Sequence, residues 1–172
     1  YLGIVFTTGG SFSEAQKTLS GQAQKAIYKL KRYLFKFENL TISHQLELFD
    51  KLISPILNYG SETWGFIQAN NIERVHSHFC KNLLGIKRST QNDFVYGELG
   101  RLNFKTWRIF TIIKYWLKLI QLEERKYAFI TYKMMLNDVE VMPNKLNWAG
   151  LIRNELFTLG FNDVWYAQSV GI

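Results

Sequence analysis

Three features are scarce in this chain of 172 residues: cysteines, adjacent aspartates and long apolar runs without charge. Cys80 is the only cysteine, which excludes an internal disulfide and a cysteine-rich zinc site. The longest apolar run, residues 110–120, is interrupted by Lys114 and Lys118, which argues against a membrane span. We therefore expect neither a disulfide framework nor a membrane protein.

The lack of adjacent aspartates limits the chemistry of the chain. Two-metal catalysis uses metal ions about 4 Å apart, held by acidic side chains. The acidic pair Glu123-Glu124 does not provide such a site, because neighbours on a helix point about 100° apart. His76 and Cys80 are one helical turn apart, but too few further ligands exist for a zinc site. We predict no catalytic residue, no metal site and no cofactor in this chain.

Apolar residues make up 47% of the sequence and aromatic residues 16%, which is enough for a packed core. They recur at steps of three and four residues after Ser13, and this period predicts helices. Strand-forming residues are concentrated in the first eight positions, YLGIVFTT. We predict a mainly α fold, in which a short N-terminal β-strand or hairpin precedes six to eight helices.

The most continuously apolar segment of the first half is residues 51–65, KLISPILNYGSETWG. Its helix should bend or end near Ser54, because Pro55 removes a backbone hydrogen bond and crowds the preceding turn. Gly60 can then release the chain from the helix, and Trp64 follows as a large apolar anchor. We expect the neighbouring helices to pack on this segment.

A second segment, residues 104–122, is apolar on nearly every side. A helix of this composition is usually central in its domain. We therefore predict that four of its residues are mostly buried, together with Trp64: Trp107, Phe110, Ile113 and Trp116.

The net charge is +7, which favours an anionic partner, nucleic acid before membrane. Four cations of the first helix follow one another at steps of four, three and four residues: Lys25, Lys29, Arg32 and Lys36. Residues at these steps share a helix face, where like charges repel by a few tenths of a kcal/mol per pair. Facing phosphates would offset that repulsion. A solvated helix face has the same pattern, and the stripe alone does not decide between the two.

Four segments, in order, resemble reverse transcriptases of non-LTR (LINE-type) retrotransposons: YLGIVFTTGG, SPILNYGSETWG, VYGELGRLNF and NWAGLIRNELFTLGFNDVW. The resemblance covers nearly the whole chain and corresponds to the region that follows the catalytic palm. It implies the end of a primer-grip-like hairpin in residues 1–12, with Tyr1, Leu2 and Gly3 at the grip. It further implies a thumb-like helical region in residues 13–90 and a helical linker region in residues 91–172.

The resemblance implies a fragment of an RNA-directed DNA polymerase that grips the template–primer rather than catalysing. The implied partners are an RNA template, a DNA primer and a palm domain, which we expect upstream of Tyr1 together with its Mg²⁺. The implied location is intracellular, with the nucleus as one site. The alternative is a non-catalytic helical domain for protein interaction or scaffolding, in which the aromatic residues form the core and the charge is incidental.

Overall fold

The computed structural model describes residues 3–34, 40–142 and 147–169, and it is mainly helical, as predicted. Within these ranges there are ten helices and no strand. Two of the helices have only four residues, so the longer ones agree with the predicted number. The helices are α1 Ser13–Leu34, α2 Ile42–Leu52, α3 Ser54–Leu57, α4 Ser61–Trp64, α5 Asn70–Leu83, α6 Asn92–Glu98, α7 Phe104–Leu119, α8 Tyr127–Val141, α9 Trp148–Thr158 and α10 Asn162–Ala167.

The predicted N-terminal strand does not appear in its described part, residues 3–8. Gly3 has a φ of 74°, which lies outside the strand region. Ile4 packs against Gly60 instead: a side chain at Gly60 would collide with Ile4 Cδ1. A single strand needs a pairing partner, and no strand forms in the described residues to supply one. Tyr1 and Leu2 lie outside the described residues.

The chain forms two compact units, Tyr1–Arg108 and Ile109–Ile172, and the boundary falls within α7. We call them unit 1 and unit 2. The functional boundaries implied by the resemblance, 1–12, 13–90 and 91–172, are a separate matter and stay a prediction.

Residues 51–65 supply the centre of unit 1, as the sequence predicts. The helix breaks at Pro55: α2 ends at Leu52, and α3 begins at Ser54 with the proline in its first turn. Gly60 has a φ of 64° and starts α4, which places Trp64 in the core with 1% of its surface exposed. The Trp64 Nε1–H donates to the carbonyl of Tyr59 at 3.1 Å, so the indole is anchored by a hydrogen bond as well.

Two helices begin at a side chain that caps the backbone. The Thr41 hydroxyl accepts from the backbone N–H of His44 at the start of α2. The Asn147 side chain accepts from the backbone N–H of Gly150 at the start of α9. Each side chain satisfies a backbone donor that has no partner inside its helix.

The core of unit 2 is built around a hydrogen-bonded set of neutral side chains. The Trp116 Nε1–H donates to the Tyr132 hydroxyl at 2.8 Å, and that hydroxyl donates to Gln168 Oε1 at 2.5 Å. The rings of Trp116 and Trp165 are stacked with their centroids 6.0 Å apart. The other buried apolar side chains of this unit are Ile112, Leu119, Leu136, Val139, Ala149, Ile152 and Leu156.

The prediction for α7 is partly wrong. Trp116 is fully buried as expected, whereas Trp107 and Phe110 are 51% and 56% exposed, and Ile113 is half-buried. The helix buries one stripe at steps of four, four, four and three residues: Phe104, Arg108, Ile112, Trp116 and Leu119. An all-round apolar sequence does not show which stripe faces the core, and here the buried stripe includes a charged residue.

Candidate nucleic-acid interface

The cationic stripe predicted on the first helix is exposed where the structure describes it. Lys25, Lys29 and Arg32 are exposed, and none is in an ion pair with another described residue. Lys36 lies outside the described residues. The only acidic residue of α1 is Glu14, which pairs with Lys17 at 2.7 Å near the helix start. The rest of the α1 surface therefore carries positive charge alone.

A second basic group lies on α5 and in the segment after it: the cations Arg74, Lys81 and Arg88, together with the imidazole of His78. Partial burial lowers the pKa of His78, and the nearby charges of Arg88, Lys81 and Arg74 lower that pKa further. These charges therefore surround one imidazole. Arg74, His78 and Lys81 are four and three residues apart, and residues at these spacings share a helix face. This spacing could have predicted the group from the sequence.

Lys81 holds the segment after α5 in place rather than facing solvent. Its side chain is only 5% exposed, and its Nζ donates to the carbonyl of Arg88 at 2.9 Å. The observed hydrogen bond fixes the position of the Arg88 backbone beside α5.

An open groove with a volume of about 340 Å³ lies between α1 and α5. Ile27, Val75 and Phe79 give it an apolar lining, and no acidic residue lines it among those that the structure describes. Its polar lining comes from four side chains that can donate hydrogen bonds: Gln24, His78, Asn82 and Arg88. We call this cavity the α1–α5 groove.

The stripe and the α1–α5 groove lie on the two flanks of the exposed face of α1. At about 100° per residue, Gln24 and Ile27 fall on one flank, whereas Lys25 and Lys29 fall on the other. Tyr28 lies between them and is 67% exposed. Because a helix with its side chains is about 10–12 Å wide, one extended anion along α1 can reach both flanks.

The net charge is concentrated in the unit that carries these features. Unit 1 contains fourteen Lys and Arg against eight Asp and Glu, a net charge of +6. Unit 2 contains seven against six, a net charge of +1. The basic character of the chain is therefore a property of unit 1.

A second cluster of unit 1 joins Arg101, Asp50 and His76. The two terminal nitrogens of Arg101 donate to the two Asp50 carboxylate oxygens at 3.0 and 2.5 Å, and its Nε donates to His76 Nε2 at 3.1 Å. Gly100, with a φ of 61°, ends the α6 segment so that the Arg101 N–H returns to the carbonyl of Tyr96 at 2.8 Å. Because each of the three guanidinium nitrogens of Arg101 has a protein partner, this cluster has a structural role: it links the residues that follow α6 to α2 and α5.

His76 in this cluster is held neutral. Burial, and then the charge of Arg101, lower its pKa to about 3. Its ring is stacked between those of Phe104 and Tyr96, with centroids 4.1 and 4.9 Å away. An imidazole with this pKa is a very weak base, so it is not suited to acid–base catalysis near neutral pH.

An open cavity of about 470 Å³ adjoins the Arg101 cluster. Pro55, Leu102, Phe104 and Trp107 contribute apolar surface, and Asp50, Ser54, Asn58, Gly100 and Arg101 complete the lining. Leu102 and Trp107 are more than half exposed beside it. The arrangement is that of an apolar surface with a polar edge.

Two further features concern metals and membranes. In the described ranges, no group of three or more His, Cys, Asp or Glu side chains is placed to hold a metal ion. His76 and Cys80 are both buried, and burial raises the pKa of the Cys80 thiol to about 11. None of the helices in the described part of the chain has the length and apolar character needed to cross a bilayer.

The structure describes only one of the three residues assigned to a primer grip. Gly3 is exposed and lies against the ring of Tyr59: a Cβ added to it would lie 3.3 Å from Tyr59 Cε1. Tyr1 and Leu2 lie outside the described residues. The primer-grip assignment stays a prediction.

Comparisons with known proteins do not assign a family. No protein-family model, no curated protein sequence and no solved structure matches this chain.

Proposed function

We propose that unit 1 binds the sugar–phosphate backbone of a nucleic acid along α1. The observation that carries this proposal is the presence of cations on both flanks of one exposed helix face. Lys25, Lys29 and Arg32 lie on one flank, and Arg88 lines the groove on the other, together with the imidazole of His78. The concentration of net charge in unit 1 supports the same conclusion.

The chemistry of these groups suits binding of the backbone rather than recognition of bases. Lysine and arginine side chains neutralise phosphates and release condensed counterions, which makes the affinity depend steeply on salt. Interactions of this kind set the position of the nucleic acid and carry no sequence information. We therefore propose a binding element with little sequence preference.

The resemblance to non-LTR reverse transcriptases supplies the finer form of this proposal. In that form unit 1 acts as a thumb that grips an RNA template and a DNA primer, while a palm domain with Mg²⁺ performs the chemistry. The N-terminal hairpin, the primer grip and the linker role of residues 91–172 belong to this finer proposal. We expect no nucleotide incorporation from this chain alone.

One observation favours the alternative of a protein-interaction domain. The 470 Å³ cavity has an apolar lining, and Leu102 and Trp107 are exposed beside it. Exposed apolar surface with a polar edge is typical of sites where proteins bind one another. This alternative requires no role for the cations of α1.

The salt dependence of binding to a primer–template duplex tests the proposal. We expect the dissociation constant to rise steeply with salt. In the Lys25→Ala/Lys29→Ala variant the log–log slope should fall by roughly one unit for each phosphate that the protein no longer neutralises. The two lysines are exposed, so folding should be nearly unchanged. Binding should weaken evenly across duplex sequences.

A matched control removes the same charge from positions that are already in ion pairs. Lys17 pairs with Glu14 at 2.7 Å and Lys51 pairs with Glu47 at 2.6 Å, so Lys17→Ala/Lys51→Ala has the same net charge as the test variant. This control should keep most of the wild-type slope. Equal slopes for the two double variants would favour the scaffolding alternative.

A further inference from the structure

The α1–α5 groove has the composition of a site for a single phosphate group. Its rim carries two side-chain amides, from Gln24 and Asn82, and two groups with ring or guanidinium N–H donors, from His78 and Arg88. The Arg88 backbone is fixed by the hydrogen bond from the buried Lys81. The groove is therefore lined by four side chains that carry donors, and Lys81 holds the backbone of one of them.

Among the described residues, the charges that act on His78 are positive. From α5 come Arg74 and Lys81, and from the following segment comes Arg88. From α1 the groove is lined by the uncharged Gln24 and Ile27, and Lys31 follows four residues after Ile27. A proton on His78 therefore adds a charge to existing positive charges, and this raises its free energy in the empty groove.

We propose that a backbone phosphate of a nucleic acid binds in the α1–α5 groove and that His78 takes up a proton from solvent when it binds. This inference rests on the proposed function and adds a proton-linked interaction to it. The entering phosphate places a negative charge beside the imidazole, which reverses the local charge and favours the protonated ring. The ring then donates from both nitrogens, and one of these N–H groups faces the phosphate.

Linkage fixes the sign of the effect. If binding takes up one proton, the affinity increases as the pH falls through neutral, by at most about tenfold per pH unit. The other two histidines are not expected to take up a proton when a phosphate binds in the groove. His76 has a pKa of about 3 and stays neutral, and His44 lies on α2 at a position that does not line the groove.

The test measures duplex affinity between pH 6 and 8 at constant salt for the whole chain and three variants. The duplex is a suitable probe because its phosphodiesters do not titrate in this range. We expect wild type to bind more tightly at pH 6 than at pH 8, by at most about tenfold for each pH unit. His44→Gln should behave as wild type, His78→Gln should lose most of the pH dependence, and His78→Lys should bind tightly at both pH values.

Proton uptake gives an independent readout. Calorimetric titration in two buffers with different ionisation enthalpies should report uptake of up to one proton by wild type and close to none by His78→Gln. An unchanged pH dependence in His78→Gln would overturn the inference, and a steep salt slope in the same experiment would leave the proposed function standing. Failure of wild type to bind the duplex at any pH would reject both.

Discussion

The two units bury polar groups of different kinds. In unit 1 the buried polar side chains include three that carry or can carry charge: His76, Lys81 and Arg108. In unit 2 no charged side chain is buried among the residues that the structure describes, and the core holds the neutral set of Trp116, Tyr132 and Gln168. Burial of a charge is costly unless it is paired, whereas a satisfied neutral group costs little. The stability of unit 1 should therefore depend on pH, and that of the unit 2 core should not.

The largest expected effect is the loss of unit 1 stability in acid. The folded pKa of His76 is about 3, below the ordinary value of 6.5, so the unfolded chain binds more protons at intermediate pH. The contribution of His76 to stability is complete above pH 6.5 and is lost as the pH falls towards 3. Its total is roughly 3–5 kcal/mol, at about 1.4 kcal/mol per pH unit.

Urea denaturation of wild type and His76→Phe between pH 7 and 4 measures this contribution. Phenylalanine keeps a flat ring between Phe104 and Tyr96 but cannot take up a proton. We expect the variant to have the shallower dependence on pH, whatever its absolute stability. His78 is retained in both proteins, so the difference in slope reports His76. Parallel slopes would contradict the account of His76 as a buried neutral imidazole.

A smaller effect is expected from Tyr132→Phe in unit 2. The change removes the hydroxyl that accepts from Trp116 Nε1–H and donates to Gln168 Oε1, and it leaves the ring in place. A buried donor left without a partner costs about 1–3 kcal/mol. We expect the free energy of unfolding to fall by this amount at every pH between 5 and 8, because tyrosine and phenylalanine are both uncharged in this range.

Thermal or urea denaturation at three pH values in that range checks the result. Tyr127→Phe is the matched control, because Tyr127 is on the same helix and 88% exposed. It should change stability by less than about 0.5 kcal/mol. A loss in Tyr132→Phe that grows towards low pH would mean that the neutral core of unit 2 is coupled to a titrating group.

Local features of the fold follow from the sequence because they depend on neighbouring residues. The break at Pro55, the cap at Thr41 and the cap at Asn147 are each decided by a few adjacent positions. The strand predicted for residues 1–8 would need a pairing partner from elsewhere, so strand-forming residues alone could not establish it, and its described part, residues 3–8, forms no strand. The exposed stripe of Lys25, Lys29 and Arg32 was also predictable, because all three residues belong to one helix and their spacing places them on one face.

Features that depend on packing between helices were not predictable. The α1–α5 groove is lined by Gln24 and His78, which are 54 residues apart in the sequence. No local sequence pattern predicts that they line the same groove. The stripe that α7 buries includes Arg108 rather than Trp107 or Phe110, although hydrophobicity alone favours the opposite choice. The partners of Arg108 come from α4 and α5, so only the folded arrangement shows them.

The smallest expected effect concerns Arg108, the most deeply buried charge of unit 1. Its side chain is 1% exposed, and its only ion pair with a described residue joins a terminal nitrogen to Glu73 Oε1 at 3.5 Å. Its Nε and other terminal nitrogen have no hydrogen-bond partner within the described ranges. Burial lowers the pKa of the guanidinium, although the charge of Glu73 opposes this. The desolvation cost is therefore offset only in part.

Arg108→Met tests whether this charge contributes to stability. Methionine can keep the apolar packing against the Trp64 ring, over which the guanidinium lies at 5.7 Å, without the desolvation cost. We expect a change within about 1 kcal/mol in either direction, because the ion pair lost is long at 3.5 Å and Glu73, whose side chain is 23% exposed, keeps the hydrogen bond from the Phe104 N–H. Glu73→Gln should cost more, about 1–3 kcal/mol, because it leaves the buried guanidinium without its carboxylate while keeping an acceptor for the Phe104 N–H. If Arg108→Met instead costs more than Glu73→Gln, the guanidinium is a net stabilising group, and the contrast between the two units rests on His76 alone.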